Sequence, residues 1–262
     1  MQISILASGS RGNCTLIHNE HTAILIDMGI STRKLKQSLA KIHLDINDLN
    51  AVFITHEHID HIRGLKTFTK NYQIPIFSKT ATLKQIITSQ NFDKNQLTNC
   101  KALPNAKLRI ENLDILSFPI SHDAIDPVGY NIFNKNSSNK INEKITLATD
   151  LGFVNETVKQ ALDASDKLII EANHDLNMLQ NGQYPWSLKK RILSTKGHLS
   201  NIDAAFTISN LVHKPQEVIL AHLSEQNNTP ELAQKTVTSI LNKQNLNHIS
   251  VHIASSQEIL SI

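Results

Sequence analysis

Little in this chain suits a secreted or membrane-embedded protein. Only two cysteines occur among its 262 residues. They are Cys14 and Cys100, which form no C-x-x-C pair and suggest no disulfide framework, so a reduced, cytoplasmic setting is expected. No stretch approaches the roughly 20 apolar residues that span a bilayer. Met1-Gln2-Ile3-Ser4-Ile5-Leu6 lacks the basic head and long apolar run of a signal peptide, and no membrane partner is expected. Charge is not one-sided either: 26 Lys and Arg against 23 Asp and Glu leave a net +3, which is compatible with a polyanionic partner but too mild to demonstrate one. Internal repeats and interdomain linkers are also missing. The length suits one well-filled core, so a single domain over 1–262 is expected.

What the chain does hold is histidine, 13 in all, the side chain that binds borderline metals and titrates near neutrality. Its pattern alternates strand-like and helix-like stretches. Gln2 to Ala7, Cys14 to His18 and Thr22 to Asp27 read as opening antiparallel strands around a glycine-containing loop, and Ser31 to Ile42 as an amphipathic helix. Ala51 to Thr55 is a buried-type strand, followed by helices at Leu65 to Asn71 and Thr80 to Gln90 with a short strand at Pro75 to Phe77. Further strands are expected at Leu113 to Phe118, Val128 to Phe133, Ile145 to Thr149, Lys167 to Glu171 and Glu217 to Ala221. Asn134 to Asn142 reads as a mobile loop, and Val154 to Leu162 as a helix. Ser200 and Asp203 form a capping box for a helix at Ile202 to Val212. Thr229-Pro230-Glu231 starts a long helix.

The most informative segment is His56-Glu57-His58-Ile59-Asp60-His61, an H-x-H-x-D-H cluster fed by the apolar run Ala51 to Thr55. Four metal-capable side chains in six positions can divide between two neighbouring cations, imidazoles suiting zinc and a carboxylate suiting a harder ion such as manganese. Further candidates follow in order: His122 just past one strand, Asp150 and His222 each ending another. A lone histidine at a strand end is usually just a polar terminus. Three such residues combined with the cluster point instead to side chains aimed by a rigid sheet into one cleft.

These motifs resemble the metallo-β-lactamase fold superfamily, which implies an α/β fold: a four-layer αββα sandwich with the metal site at one edge of the two sheets. The resemblance implies that His56, His58 and His122 hold one divalent ion, that Asp60, His61 and His222 hold the other, and that Asp150 bridges them. Asp27 matches an early structural aspartate that positions the histidine loop. Ala7-Ser8-Gly9-Ser10-Arg11-Gly12-Asn13-Cys14, Glu171-Ala172-Asn173-His174-Asp175, Gly197-His198-Leu199-Ser200-Asn201 and His222-Leu223-Ser224 are similar to the YycJ/WalJ branch. That likeness implies a zinc- or manganese-dependent 5′-3′ exonuclease on double-stranded DNA, iron also being compatible with the ligands. Arg11 departs from the small residue expected in the Gly/Ser loop.

The implied chemistry is attack of a metal-bound hydroxide on phosphorus, with Asp60 and Asp150 orienting the nucleophile and His198 assisting the leaving oxygen. Ser10, Asn13, His174 and Ser200 are candidates for contacting the nucleic acid substrate. Lys189-Lys190-Arg191 and Lys196 are more simply a solvated helix face. Competing readings are a ribonuclease Z-like or small-phosphodiester hydrolase, a glyoxalase-type thioester hydrolase that shares H-x-H-x-D-H, and a non-catalytic metal-stabilised module.

Overall fold

A computed structural model describes every residue except 137, 139, 256 and 257. Its strands are β1 (Gln2–Ala7), β2 (Cys14–His18), β3 (Ala23–Ile26), β4 (Ala51–Phe53), β5 (Ile76–Ser78), β6 (Cys100–Ala102), β7 (Leu108–Ile110), β8 (Leu113–Pro119), β9 (Val128–Lys135), β10 (Ile141–Ala148), β11 (Lys167–Glu171), β12 (Glu217–Ala221), β13 (Ser250–Ile253) and β14 (Leu260–Ser261). They form two mixed sheets, ordered β14-β1-β2-β3-β4-β5-β6 and β13-β12-β11-β10-β9-β8-β7. The first begins antiparallel through β1, β2 and β3 and continues parallel from β3 to β6. The second is antiparallel from β7 to β10 and parallel from β10 to β13.

Strand side chains alternate between faces, and here both faces are apolar. In β3, Ile24 and Ile26 meet Phe53, Tyr130, Ile132, Leu147 and Ile219 in the core between the sheets. Its alternate residues Ala23 and Leu25 pack outward on Leu35 and Leu39 of helix Thr32–Lys41 and Phe68 of helix Leu65–Asn71. On the other side Leu168, Ile170, Val218 and Leu220 meet Ile208 of helix Asn201–Ser209 and Val237 and Leu241 of helix Pro230–Lys243. The result is the helix–sheet–sheet–helix sandwich that the resemblance implies, with apolar strands buried on both sides.

The helix starts follow their local chemistry. Ser200 accepts from the Asp203 amide in a reciprocal capping box, and Thr229 caps the long helix ahead of Pro230. The expected loop at Asn134 to Asn142 is shorter than the composition suggests. β9 reaches Lys135 and β10 starts at Ile141, because pairing across the hairpin recruits polar residues; part of the stretch lies outside the described residues. The short edge strands β6, β7, β13 and β14 went unanticipated because two to four residues carry no periodic signal.

Cys14 lies wholly inside the core on β2. Burial first, and the nearby Asp27 carboxylate second, push its thiol far above the ordinary range; burial alone raises half-buried Cys100. Neither thiol should react readily with a disulfide reagent in the native protein, whereas both should react after denaturation. Rapid native labelling of Cys14, followed by absorbance, would contradict this packing.

Candidate metal centre

The side chains of the histidine cluster and its partners converge at one edge of the sandwich, where parallel strands of both sheets end. Asp27 follows β3, the cluster follows β4, Asp150 follows β10, and His222 follows β12. Asp27, Asp150 and His222 each adopt a left-handed backbone, with φ of +64°, +58° and +57°. That conformation costs roughly 1–2 kcal/mol for an L-residue. Its use at three strand ends turns three polar side chains out of the strand direction and into the cleft, a concentration of strain typical of functional sites.

Among the described residues four overlapping groups of donors form, and two of them divide the histidine cluster. Nε2 of His56 lies 3.0 Å from Nδ1 of His58, which lies 3.3 Å from Nε2 of His122. In the second, Nε2 of His61 lies 3.4 Å from Oδ2 of Asp60, which lies 3.7 Å from Nε2 of His222. Asp150 stands between them, with Oδ2 3.3 Å from Nε2 of His61 and Oδ1 3.9 Å from Nε2 of His122. Each group offers one donor atom per residue within 4.8 Å of the others, close enough to surround a cation.

The opposite ring atoms are anchored. Nδ1 of His61 bonds Asp27 at 2.7 Å, and Nδ1 of His222 bonds Glu171 at 2.7 Å. His56 Nδ1 meets the Thr55 hydroxyl at 2.9 Å, and His122 Nδ1 faces the Gly197 carbonyl at 3.3 Å. Anchoring one ring nitrogen on an acceptor leaves the other to bind metal, the usual arrangement around ligating histidines. Among the described residues, Nε2 of His222 and Oδ2 of Asp150 are buried without a hydrogen-bond partner, although buried polar atoms are normally paired. The residues present therefore fit divalent cations.

The electrostatics differ between the two donor groups. Burial, and then the neighbouring His61, push His56 well below its ordinary pKa, and burial lowers that of His122; both are held neutral, as ligands must be. Burial opposes ionisation of Asp60, Asp150 and Glu171, but adjacent imidazoles overcome it and hold all three carboxylates below their usual range, Glu171 at about 2. For His61, His222 and His198 burial again works against charge, and the facing carboxylates prevail, raising each above its ordinary value.

The supporting loops are tightly built. Asp27 accepts from the amide and hydroxyl of Thr55, and Tyr130, on the opposite sheet, donates to the Ile54 carbonyl at 2.7 Å, so both sheets hold the cluster's first turn. A Cβ on Gly29 would lie 1.6 Å from the Asp60 carbonyl oxygen, and Asn13 bridges the two segments by accepting Gly29 and donating its amide to Asp60.

Several expectations about substrate contact change. Asn13 is buried, and its side-chain amide reaches Oδ2 of Asp60 at 3.2 Å and Nε2 of His61 at 3.0 Å, so it steadies the second donor group. Ser200 is buried and donates to Asp203 as a helix cap, which removes it from substrate reach. His174 is buried too, with no hydrogen-bond partner for either ring nitrogen among the described residues, and burial lowers its pKa to about 4. Ser10 alone of the four lines the cleft, a cavity of about 150 Å³ that also holds His198 and His222. Arg11 points elsewhere, paired with Glu225 at 2.7 Å on an adjoining groove. Lys189 donates to the carbonyls of Gln180 and Gly182 and is buried, but Arg191 and Lys196 line the cleft.

Glu171 escaped the sequence reading. Its buried carboxylate accepts from His198 at 2.8 Å and His222 at 2.7 Å, and from the amides of Leu151 and Leu199. Its position ending the apolar strand β11 is the signal that singled out Asp150 and His222. Asp123 was also missed; it lies 3.3 Å from His122 and accepts from Arg191 at 2.6 Å.

Comparison with known proteins gives a consistent picture. The model of the metallo-beta-lactamase superfamily matches residues 7–95. Exodeoxyribonuclease YycJ from Bacillus anthracis is 33% identical, over 93% of this chain and 90% of its own. Exodeoxyribonuclease WalJ from Streptococcus pneumoniae serotype 2 (strain D39) is 36% identical, over 93% and 89%. Among solved structures, the metallo-beta-lactamase fold protein YhfI from Bacillus subtilis superposes with a TM-score of 0.73 at 17% identity, covering 100% of this chain and 99% of that one, a likeness of fold.

Proposed function

Because the chain belongs to the metallo-β-lactamase superfamily, in its YycJ/WalJ branch, we propose that this metal-dependent hydrolase is a DNA exonuclease that digests duplex DNA from its 5′ ends. The observation that carries the reading is the pair of donor groups flanking Asp150, beside a histidine held by Glu171. His56, His58 and His122 would hold one divalent ion, and Asp60, His61 and His222 the second, with Asp150 shared. When bound, such ions acidify water and neutralise the charge that builds on a phosphodiester in hydrolysis.

The chain's own residues supply the rest. Glu171 fixes the tautomer and direction of His198 through Nδ1, leaving Nε2 as the ring atom that can pass a proton to the leaving oxygen in the cleft it lines. Asp60 and Asp150 orient the attacking water. Lys196 lines the same cavity and adds positive charge there, while that of Arg191 is balanced by Asp123.

The test is digestion of end-labelled duplex DNA, with RNA and a small phosphodiester in parallel. Processive loss from 5′ ends that a chelator stops and manganese or zinc restores supports the proposal. Cleavage of RNA alone would keep the chemistry and shift the substrate to the ribonuclease Z-like class, and no cleavage of any substrate by metal-loaded protein would reject the phosphodiesterase reading. His198→Ala should lower turnover by about 10²–10⁴-fold while bound metal, measured by atomic emission, stays nearly constant. Parallel loss of both would make His198 a ligand instead.

A further inference from the structure

The largest of the four donor groups contains no member of the histidine cluster: it consists of Asp150, Glu171, His198 and His222. Oε1 of Glu171 lies 2.8 Å from Nδ1 of His198 and 2.7 Å from Nδ1 of His222. Oδ1 of Asp150 lies 3.3 Å from the same nitrogen of His222 and 4.0 Å from that of His198. Donors about 2.0–2.1 Å from a four-coordinate zinc stand roughly 3.3 Å apart, a spacing these distances bracket. Glu171, Asp150 and His222 are buried, and the cavity of about 150 Å³ that His198 and His222 line gives a route in.

Two features set this group apart from the one formed by Asp60, His61 and His222. It supplies two carboxylates and two imidazoles, which balance a divalent charge in the interior and fill four positions at once. Closed four-coordinate sites suit zinc, whereas manganese takes octahedral, oxygen-rich ones. The group also draws on the other side of His222: Nδ1 faces Glu171, while Nε2 faces Asp60 at 3.7 Å. A neutral imidazole offers one lone pair, so His222 serves one group or the other, never both.

We propose that this group is an idle zinc position, an alternative to the catalytic place of the second cation. A zinc ion held there leaves Asp60 and His61 without an ion to share and takes Nδ1 of His198 from Glu171. The water-orienting group and the proton donor are thereby disabled together, and excess zinc inhibits an enzyme that manganese sustains. The inference rests on the proposed pair of cations; its binding test needs no DNA and can fail while the nuclease reading stands.

The affinity of the second zinc, measured by competition with a chromogenic chelator, is the test. Asp60→Ala removes a donor from the catalytic place and His198→Ala one from the idle position, so each single variant keeps the other intact. Each should weaken the second zinc only modestly, and the double variant should lose at least about tenfold more than the product of the two single losses. With manganese the losses should simply multiply. Zinc losses that multiply, or a manganese excess as large as that of zinc, would overturn the proposal. Should Asp60→Ala melt far below the wild type, Asp60→Asn, which can still accept from Asn13, replaces it. Zinc added to the manganese-loaded wild type should lower turnover, and bound zinc with unchanged turnover would overturn the idle position while sparing the nuclease. A wild type that takes up a single cation would overturn the pair of cations and this inference with it.

Discussion

Glu171→Ala is expected to do the most damage of any single substitution at this centre. The carboxylate is fully buried and accepts from His198, His222 and the amides of Leu151 and Leu199. Truncation leaves two backbone donors and two imidazoles without their acceptor in a place water does not reach. Removing one member of a buried charged network costs about 3–5 kcal/mol. At about 2–4 °C per kcal/mol for a chain of this size, the melting temperature should fall by roughly 6–20 °C. Activity should disappear as well, since the anchors of one metal-site histidine and of the proposed proton donor are lost together. Glu171→Gln separates the two effects, because the amide fills the same volume and keeps one acceptor oxygen. It should melt closer to wild type and still turn over poorly. Calorimetry beside steady-state kinetics checks this; an unchanged melting temperature for Glu171→Ala would show that the four bonds carry little weight.

The second large effect is expected at His61. His61→Ala should abolish phosphodiester turnover, because it takes a donor from the group that includes Asp60 and His222. Even about 4 kcal/mol of lost charge stabilisation corresponds to on the order of 10³ in rate. From the sequence, this variant would be expected to keep its fold almost intact. The structure alters that expectation. Nδ1 of His61 pairs with buried Asp27 at 2.7 Å, so alanine strands a carboxylate as well as removing a ligand. Thr55 still donates to Asp27 from its amide and hydroxyl, which limits the penalty to about 1–3 kcal/mol. The variant should therefore fold, melt several degrees lower and bind less metal. Measuring metal content, melting temperature and turnover on one preparation tests all three, and normal turnover would sink the two-ion mechanism.

Both predictions depend on residues whose roles were unequally visible. The H-x-H-x-D-H cluster could be read from the chain because its members are neighbours and their spacing is set by a short turn after β4. His122, Asp150 and His222 were legible more indirectly, as polar residues closing apolar strands. Glu171 closes β11 in the same way but was passed over, because a glutamate at a strand end is common and only its two histidine partners, 27 and 51 residues away, mark it out. Asn13 and Ser200 were read as substrate contacts from motif position. Their burial and their bonds to Asp60, His61 and Asp203 turn them inward, and nothing local in the chain encodes which way such a side chain points.

The sequence by itself determined the alternation of strands and helices and the candidate donors, since hydrophobic period, strand-end polarity and histidine spacing are local properties; the sandwich followed from the resemblance that those motifs carry. Tertiary structure alone decided which nitrogen of each imidazole is anchored and which carboxylates stay ionised in the interior. Those outcomes depend on distances between segments tens to hundreds of residues apart, and on burial, which sets the electrostatic cost of every charge at the site.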